Sequence, residues 1–330
     1  MDPLLVILRA MLIQEISLEN IDFEDERFRI SEELESSPLM DSLREIGQLN
    51  PVLLLERDSR KVIVCGFRRV RALARLGMAR ALARTIPEKS CDPSRTFELA
   101  LRDNLSHRQL DPLEKARVLF SLRNHFAVPD ERLVQAYLPM LGLNPHENVL
   151  RSYLLAHVIQ PALRNCLKDG RLTLSSIEAV AEMPYPVRES ISALMGKIRL
   201  SASLQKKLLG LLDDLAGAAG KPLSAPLESS EVSEILNDSR LSPFQRGEKV
   251  YEVLYRLRYP RFSAALDRFD AQKKLLCLPG SIRITAHPFF EQPGLHVEFD
   301  APDVERFRYL AAALREASQL PESEELFNIK

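Results

Sequence analysis

The sequence contains no tryptophan and only four cysteines. The cysteines, Cys65, Cys91, Cys166 and Cys277, are widely spaced and form no Cys-x-x-Cys pair, which argues against a disulfide framework and against a zinc site. No apolar run is long enough to cross a bilayer. The short apolar run at residues 4–8 is followed by an arginine and by no small-residue cleavage site, so it is not a good signal peptide. The sequence therefore predicts a cytoplasmic protein that does not interact with membranes.

An excess of one charge is also absent. The chain has 45 Lys and Arg against 46 Asp and Glu, so its overall charge does not point to a polyanionic partner. Charge is nevertheless distributed unevenly, since acids crowd residues 15–35 and arginines crowd residues 57–108. The length allows two or three domains, and abundant alanine and leucine favour helices.

Hydrophobic periodicity predicts an α+β protein with three folded parts. Strand patterns at 13–18, 51–55, 61–64 and 81–86 alternate with helix patterns at 39–47, 71–76, about 93–102 and 111–125. Helical patterns dominate residues 131–215, and two strands and a helix follow between 281 and 318. The predicted domains are an N-terminal extension with an edge strand (1–36), a small α+β domain (37–125), an all-α domain (126–216), a linker (217–232) and a C-terminal α+β domain (233–330).

A glycine followed by arginines marks the first candidate site. Gly66 lies between a strand pattern and a helix pattern, where the backbone can approach a ligand and the helix N–H groups point at it. Arg68, Arg69 and Arg71 can form bidentate hydrogen bonds with phosphate oxygens. This pattern is typical of a polyphosphate site, and the alternative is a basic helix start exposed to solvent.

The helical part contains a second candidate site. A helix pattern at 133–141 stops at Gly142, and Asn144-Pro145 starts another at 146–158, which is the helix-turn-helix layout. His146, Asn148 and Arg151 would then face DNA base edges. Glu147 disfavours phosphates, so a helical packing unit without sequence-specific DNA contact stays open. The residues predicted to contact the DNA backbone are Arg164, Lys168 and Arg171.

Three segments in order carry a resemblance to a known family. They are residues 42–52, residues 66–72 and residues 103–116. Together with the helical part, they resemble the ParB family of partition proteins over about residues 13–200. The resemblance implies a ParB/sulfiredoxin-like α+β N-terminal domain, a helix-turn-helix middle domain and a C-terminal domain that dimerises. A sulfiredoxin would need its catalytic cysteine at the position of Phe67, so we reject that assignment.

The resemblance implies that CTP and Mg²⁺ bind the N-terminal domain. Gly47 and Pro51 would shape the pocket wall, and Gly66, Arg68 and Arg69 would contact the triphosphate. Asp103 and Asn104 would lie near Mg²⁺, a hard cation that prefers oxygen ligands. The further candidate nucleotide contacts are Asn104, His107 and Arg108.

The sequence departs from the family pattern at two motifs. Phe67 stands where the family usually has a glutamate tied to hydrolysis, so nucleotide binding is better supported than turnover. The third motif usually begins with Glu and has Arg four residues later, whereas this chain has Asp103 and His107, with Arg108 displaced by one position.

The resemblance implies a nucleoid-associated, CTP-gated DNA clamp that acts in chromosome or plasmid partition. Its implied partners are DNA, a second copy of the chain and a partition ATPase. Two alternatives stay open: a DNA-binding regulator or adaptor that needs no nucleotide, and a ParB-like nuclease, which would need a tighter carboxylate cluster than the sequence offers.

Overall fold

The computed structural model describes residues 11–57, 60–88, 92–219, 224–227, 229–287 and 294–329. The predicted turn at Asp58-Ser59, Cys91, the apolar run at 4–8 and part of the predicted linker lie outside the described residues. The chain divides into two compact units, Met1–Leu209 and Gly210–Lys330. None of the described helices has both the length and the apolar character that a membrane crossing needs.

Five short strands form a mixed sheet in the first unit: β1 (Gln14–Ser17), β2 (Ile21–Asp22), β3 (Val52–Arg57), β4 (Arg60–Cys65) and β5 (Arg80–Pro87). The order across the sheet is β1-β5-β3-β4-β2. β3 runs antiparallel to β4 and parallel to β5, β1 is antiparallel to β5, and β2 is parallel to β4. The four predicted strands are confirmed, whereas β2 is too short to produce a periodic pattern.

The centre of the sheet is fully buried. Leu54 of β3 and Ile63 of β4 have no exposed surface, as their apolar runs predict. A shift in the pairing of β3 with β4 at Leu53 and Leu54 bends the sheet where β4 leads into Gly66. The most conspicuous turn of the sequence therefore starts from a rigid, buried strand.

Four helices complete this α+β part: α1 (Ser37–Ile46), α2 (Phe67–Arg75), α3 (Pro93–His107) and α4 (Pro112–Asn124). α3 is five residues longer than the predicted helix ending at Arg102. It continues because no breaker interrupts it, and it ends where the backbone of Arg108 becomes extended. Asp103 and Asn104 therefore lie inside a helix instead of capping one, and His107 belongs to its last turn.

The remainder of the first unit is helical. α5 is a continuous run of Asp130–Arg132, a π-helical stretch Leu133–Tyr137 and Leu138–Met140. The helices that follow are α6 (Glu147–Val158), α7 (Pro161–Lys168), α8 (Ile177–Glu182), α9 (Tyr185–Lys197) and α10 (Ala202–Ala219), which extends into the second unit. α5 and α6 are joined by the predicted turn at Gly142, whose φ is +70°.

The second unit combines helices with a β-hairpin. Its helices are α11 (Ser224–Leu227), α12 (Ser230–Asn237), α13 (Pro243–Arg258), α14 (Pro260–Leu275), α15 (Val304–Ala317) and α16 (Pro321–Phe327). The predicted strands are confirmed as β6 (Ile282–Ala286) and β7 (Leu295–Phe299), which pair antiparallel. Phe269, Ile284 and Leu310 are among the residues of one buried cluster that joins α14, the hairpin and α15.

Candidate functional site

A cavity of about 200 Å³ opens beside the turn at Gly66. It lies between the end of β4, the first turn of α2, the last turns of α3 and residues 28–31. The predicted site residues that line it are Gly66, Arg68, Arg69, Asp103, Asn104, His107 and Arg108. Two segments 37 positions apart in the sequence, at Gly66 and at Asp103, therefore meet at one cavity, which no local pattern could establish.

Gly66 is held in a conformation that requires glycine. Its φ of +100° is in the left-handed region, and an added Cβ would lie 2.6 Å from Cγ1 of Val52. The residue forms the N-cap of α2, which has no side-chain cap and no acid in its first turn. The uncapped helix N-terminus thus faces the cavity with its partial positive charge, which favours an anion.

Arg68 and Arg69 both reach the cavity and both are anchored to backbone carbonyls. Nη1 of Arg69 donates to the carbonyl oxygens of Asn50 and Pro51, at 2.9 Å each. Nε of Arg68 donates to the carbonyl oxygen of Glu33 at 2.9 Å. These hydrogen bonds orient the two guanidinium groups while leaving their other N–H groups for a ligand.

The face of α3 brings one carboxylate and one amide to the same cavity. Asp103 is half-exposed and lies 3.8 Å from Nε2 of His107. Nδ2 of Asn104 donates to the carbonyl oxygen of Ala100 at 2.9 Å, so its Oδ1 points away from its own helix backbone. Among the described residues, Asp103 is the only carboxylate on the cavity lining.

Arg108 is fixed by a buried carboxylate that the motif alone did not single out. Its Nη1 donates to Oε2 of Glu114 at 2.5 Å, and its Nη2 donates to Oγ of Ser31 at 3.0 Å and to Oδ1 of Asn104 at 3.3 Å. Glu114 also completes the capping box of α4 with Asp111. The displaced arginine therefore still reaches the cavity, despite its shift in sequence.

A second cavity of about 560 Å³ adjoins the first and shares Cys65, Arg69, Asp103 and His107 with it. Pro51 lines this second cavity, whereas Gly47 lines neither and instead ends α1 with a φ of +72°. Leu39 also lines both cavities, and the other residues on the second lining are Asn50, Val52, Leu53, Arg84 and Leu99. The mixture of apolar side chains and an arginine suits a flat polar ring more than a further phosphate.

Gln48 holds the loop that leads to Pro51. Its side chain donates to the carbonyl oxygen of Leu82 at 2.7 Å and accepts from the N–H of Leu82 at 2.8 Å. The amide thus pairs with the backbone of β5 at Leu82, next to the first paired residue of β3, and fixes the wall of the second cavity. In the sequence, only its position between Gly47 and Pro51 connects Gln48 with the site. Its partner Leu82 is 34 positions away, so the sequence does not predict this contact.

The buried thiol of Cys65 lines both cavities. Burial, followed by the nearby charge of Asp103, raises the pKa of Cys65 to about 12, so the group stays protonated at neutral pH. Phe67 is buried against the first cavity and offers no proton acceptor there.

The donor set at the first cavity fits Mg²⁺ only when a phosphate contributes. Within the described residues, no group of three His, Cys, Asp or Glu side chains can hold a metal by itself. Asp103 and the amide oxygen of Asn104 could supply two oxygen ligands, which is the usual protein contribution when phosphates and water complete an octahedral Mg²⁺ site.

The predicted base-reading residues lie on the exposed start of α6. His146, Asn148 and Arg151 are all exposed. Arg151 also lines a groove of about 540 Å³ between α4 and α6, together with Leu154 and Val158. The three side chains are available to a partner.

The predicted backbone-contacting cations have partners inside the protein. Nη2 of Arg164 lies 2.9 Å from Oε1 of Glu32, in an ion pair that lacks hydrogen-bond geometry. Lys168 pairs with the carboxylate of Glu33. Arg171 donates to Asp169 at 2.5 Å and to the carbonyl oxygen of Gly196 at 2.8 Å.

Comparisons with known proteins find similarity to ParB proteins. The ParB N-terminal domain matches residues 8–105. The probable chromosome-partitioning protein ParB of Treponema pallidum is 30% identical over 212 residues, which cover 61% of this chain and 61% of that protein. The chain spans less than two thirds of the length of the first curated relatives it matches.

Two solved structures of C-terminally truncated ParB from Caulobacter crescentus are also similar. One, complexed with CTP-gamma-S, is 22% identical and covers 56% of this chain and 98% of that one, with a TM-score of 0.25. The other, complexed to the centromeric parS site, is 18% identical and covers 64% and 95%, with a TM-score of 0.33. These scores are too low to establish a common overall arrangement.

Proposed function

Because this chain belongs to the ParB family, we propose that it is a DNA-binding partition protein whose N-terminal cavities take CTP together with Mg²⁺. Nucleotide binding would shift the equilibrium between conformations that hold DNA differently. The proposal includes the clamp that the family resemblance implies, as well as a homodimer, a partition ATPase partner and association with the nucleoid.

One observation carries the nucleotide proposal. The uncapped start of α2, two anchored arginines and the Asp103-Asn104 pair all converge on the first cavity. Phosphates there would meet the helix N-terminus, Arg68 and Arg69, while the adjoining cavity has room for the base and sugar. Asp103 and Asn104 would hold Mg²⁺, which would neutralise phosphate charge.

Isothermal titration of the full chain with CTP, ATP, GTP and UTP in the presence of Mg²⁺ tests this proposal. We expect heat of binding for CTP and much weaker binding for the others. The titration is repeated with DNA present. Absence of CTP binding under both conditions would rule out the nucleotide site.

Turnover of the nucleotide is expected to be slow. Within the part of the chain that the structure describes, Asp103 is the only carboxylate that lines the two cavities, and we assign it to the metal. Phe67 cannot accept or orient a proton. A phosphate-release assay with CTP and Mg²⁺ should therefore show little hydrolysis over the period in which binding equilibrates, and rapid release would contradict this assignment.

A second candidate function is a DNA-binding regulator or adaptor that needs no nucleotide. The observation in its favour is that Arg69, Asn104 and Arg108 already have protein partners in the cavity. This candidate predicts DNA binding that does not change when CTP and Mg²⁺ are added, whereas the first candidate predicts a change.

A further inference from the structure

The acidic segment, residues 24–35, crosses the first unit between β2 and α1 without forming a helix or a strand. Its side chains form ion pairs with cations from three helices, α2, α4 and α7. Arg71 and Arg75 of α2 reach Glu26 and Glu35, Arg117 of α4 reaches Glu32, and α7 supplies two further cations. Net charge does not reveal this arrangement, because the acids and their partners cancel in the total.

Glu32 is a partly buried residue of the acidic segment that contacts two arginines. Its Oε1 accepts from Nε of Arg117 at 2.8 Å and lies 2.9 Å from Nη2 of Arg164. Burial disfavours the charge of this carboxylate, but the hydrogen bond and charge of Arg117, then the charges of Arg164 and Arg29, outweigh it and lower the pKa of Glu32. Glu32 is therefore an anion at neutral pH that two arginines share.

Glu33 contacts α7 at Lys168, one turn beyond Arg164. Its carboxylate pairs with Lys168, and this contact lowers the pKa of Glu33 and raises that of Lys168. The carbonyl oxygen of Glu33 accepts from Nε of Arg68, which fixes the backbone at this position. The side chain remains about two-thirds exposed, so the pair lies at the surface where another anion could replace it.

We infer that Glu32 and Glu33 act as an internal substitute for DNA phosphates, competing with DNA for Arg117, Arg164 and Lys168. Two consecutive carboxylates on a row of cations present the same chemistry as two phosphates of a DNA backbone. The inference rests on the proposed DNA-binding function and adds to it a built-in competitor, as well as Arg117 as a contact residue that the sequence did not suggest.

The competition is tested by removing the two charges from the full chain. The variants are Glu33→Gln and the double variant Glu32→Gln with Glu33→Gln. The side chain of Glu33 is exposed, so the single variant tests the charge without disturbing the core. Binding to a short fluorescent duplex of arbitrary sequence is measured by anisotropy over a series of salt concentrations. The matched control, Glu19→Gln with Glu45→Gln, removes two exposed acids of the same unit that have no place in this cluster.

We expect Glu33→Gln to bind DNA roughly two- to fivefold more tightly than the unmodified chain, and the double variant about tenfold more tightly. The salt dependence should steepen by about one to two in logarithmic slope, since each added phosphate contact contributes about 0.9. The control should change affinity less than twofold.

Equal effects of the double variant and the control would overturn the competition, because general charge would then explain both. Tighter binding with an unchanged salt slope would also count against added phosphate contacts. If the unmodified chain and all variants fail to bind DNA, the proposed DNA-binding function itself fails, and the competition fails with it. The three outcomes are therefore distinguishable in one set of titrations.

Discussion

Arg69 joins three parts of the candidate nucleotide site. It comes from the first turn of α2, donates to the carbonyl oxygens of Asn50 and Pro51, and lines both cavities. Its guanidinium is held in place before any ligand arrives, so little side-chain entropy is lost on binding. A neighbouring arginine on the same helix, Arg75, pairs with Glu35 and lines neither cavity.

Arg69→Ala is expected to weaken CTP binding by at least about tenfold, because a charge-assisted hydrogen bond to phosphate contributes roughly 1.5 to 3 kcal/mol. Isothermal titration measures the loss. Arg75→Ala is the matched control and should leave affinity within about twofold. Unchanged affinity in Arg69→Ala would contradict the placement of the phosphates in the first cavity.

His157 of α6 lines one cavity together with Glu24, Asp25 and Glu26 of the acidic segment. It stacks on Phe120 at 4.1 Å, and its Nδ1 is buried without a hydrogen-bond partner among the described residues. Burial, followed by the charges of Arg117 and Arg164, lowers the pKa of His157 to about 4. The imidazole is therefore neutral in the folded chain at a pH where the unfolded chain already protonates it.

This depressed pKa predicts a loss of stability on mild acidification. Between about pH 6.5 and 4 the unfolded state binds a proton that the folded state does not, so the free energy of unfolding falls by at most about 1.4 kcal/mol per pH unit. Thermal melting near pH 7 and pH 5 should show a smaller acid shift for His157→Leu than for the unmodified chain. His146→Gln, an exposed control, should keep the full shift, and equal shifts in all three would refute the assignment.

At the scale of elements, the turn between β4 and α2 does not tolerate a side chain at Gly66. The left-handed φ of Gly66 and its contact with Val52 both exclude a side chain. Glycine therefore fixes where α2 starts. It also leaves the backbone N–H groups of the first turn accessible to a ligand.

Gly66→Ala is expected to destabilise the chain by roughly 2 to 4 kcal/mol through backbone strain and overpacking. Gly210→Ala provides the opposite control, because an added Cβ there meets nothing within 4 Å and lies in a helix. That substitution should stabilise by up to about 1 kcal/mol. Thermal melting of both variants distinguishes the two cases, and a Gly66→Ala chain as stable as the unmodified one would contradict the strained turn.

The lengths of elements were predicted less well than their types. The strands at 14–17, 52–57, 60–65 and 80–87 match their patterns because alternation and buried runs are local properties. The end of α3 was misplaced, since no Gly or Pro marks it and its last turns are held by packing around Arg108. As a result, Asp103 and Asn104 lie on a face of α3, whereas the predicted helix ended before them.

At the scale of the whole molecule, the second unit offers a surface for the proposed homodimer. Within the described residues β7 pairs only with β6, so its other edge is open to a strand from a second copy. Val297 of β7 and Val304 and Phe307 of α15 are exposed apolar side chains, and the ring centroid of Phe307 lies 6.0 Å from that of Phe299 in β7. Exposed apolar groups beside an unpaired strand are typical of a protein–protein interface.

Phe307→Glu is therefore expected to shift the chain from dimer to monomer, because a charge would be buried at the interface. Light scattering coupled to size-exclusion chromatography measures the mass in solution. Glu248→Lys, an exposed charge change on α13, should leave the mass unchanged. A monomeric unmodified chain, or a Phe307→Glu chain that stays dimeric, would contradict this interface.

The sequence by itself determined the strands around the sheet core, the turn at Gly66, the helix pair joined at Gly142 and the order of motifs that identifies the family. These features depend on neighbours within a few residues, where periodicity, glycine conformation and helix caps act.

Only the tertiary structure decided which of these side chains meet at one site and which are paired within the protein. The sheet order β1-β5-β3-β4-β2 and the packing of α3 bring Asp103 to Gly66, and Glu114 brings the displaced Arg108 to the same cavity. The pairing of Lys168 with Glu33 joins residues 135 positions apart. Sequence spacing does not fix such contacts, because the direction of a long charged side chain depends on what the fold places beside it.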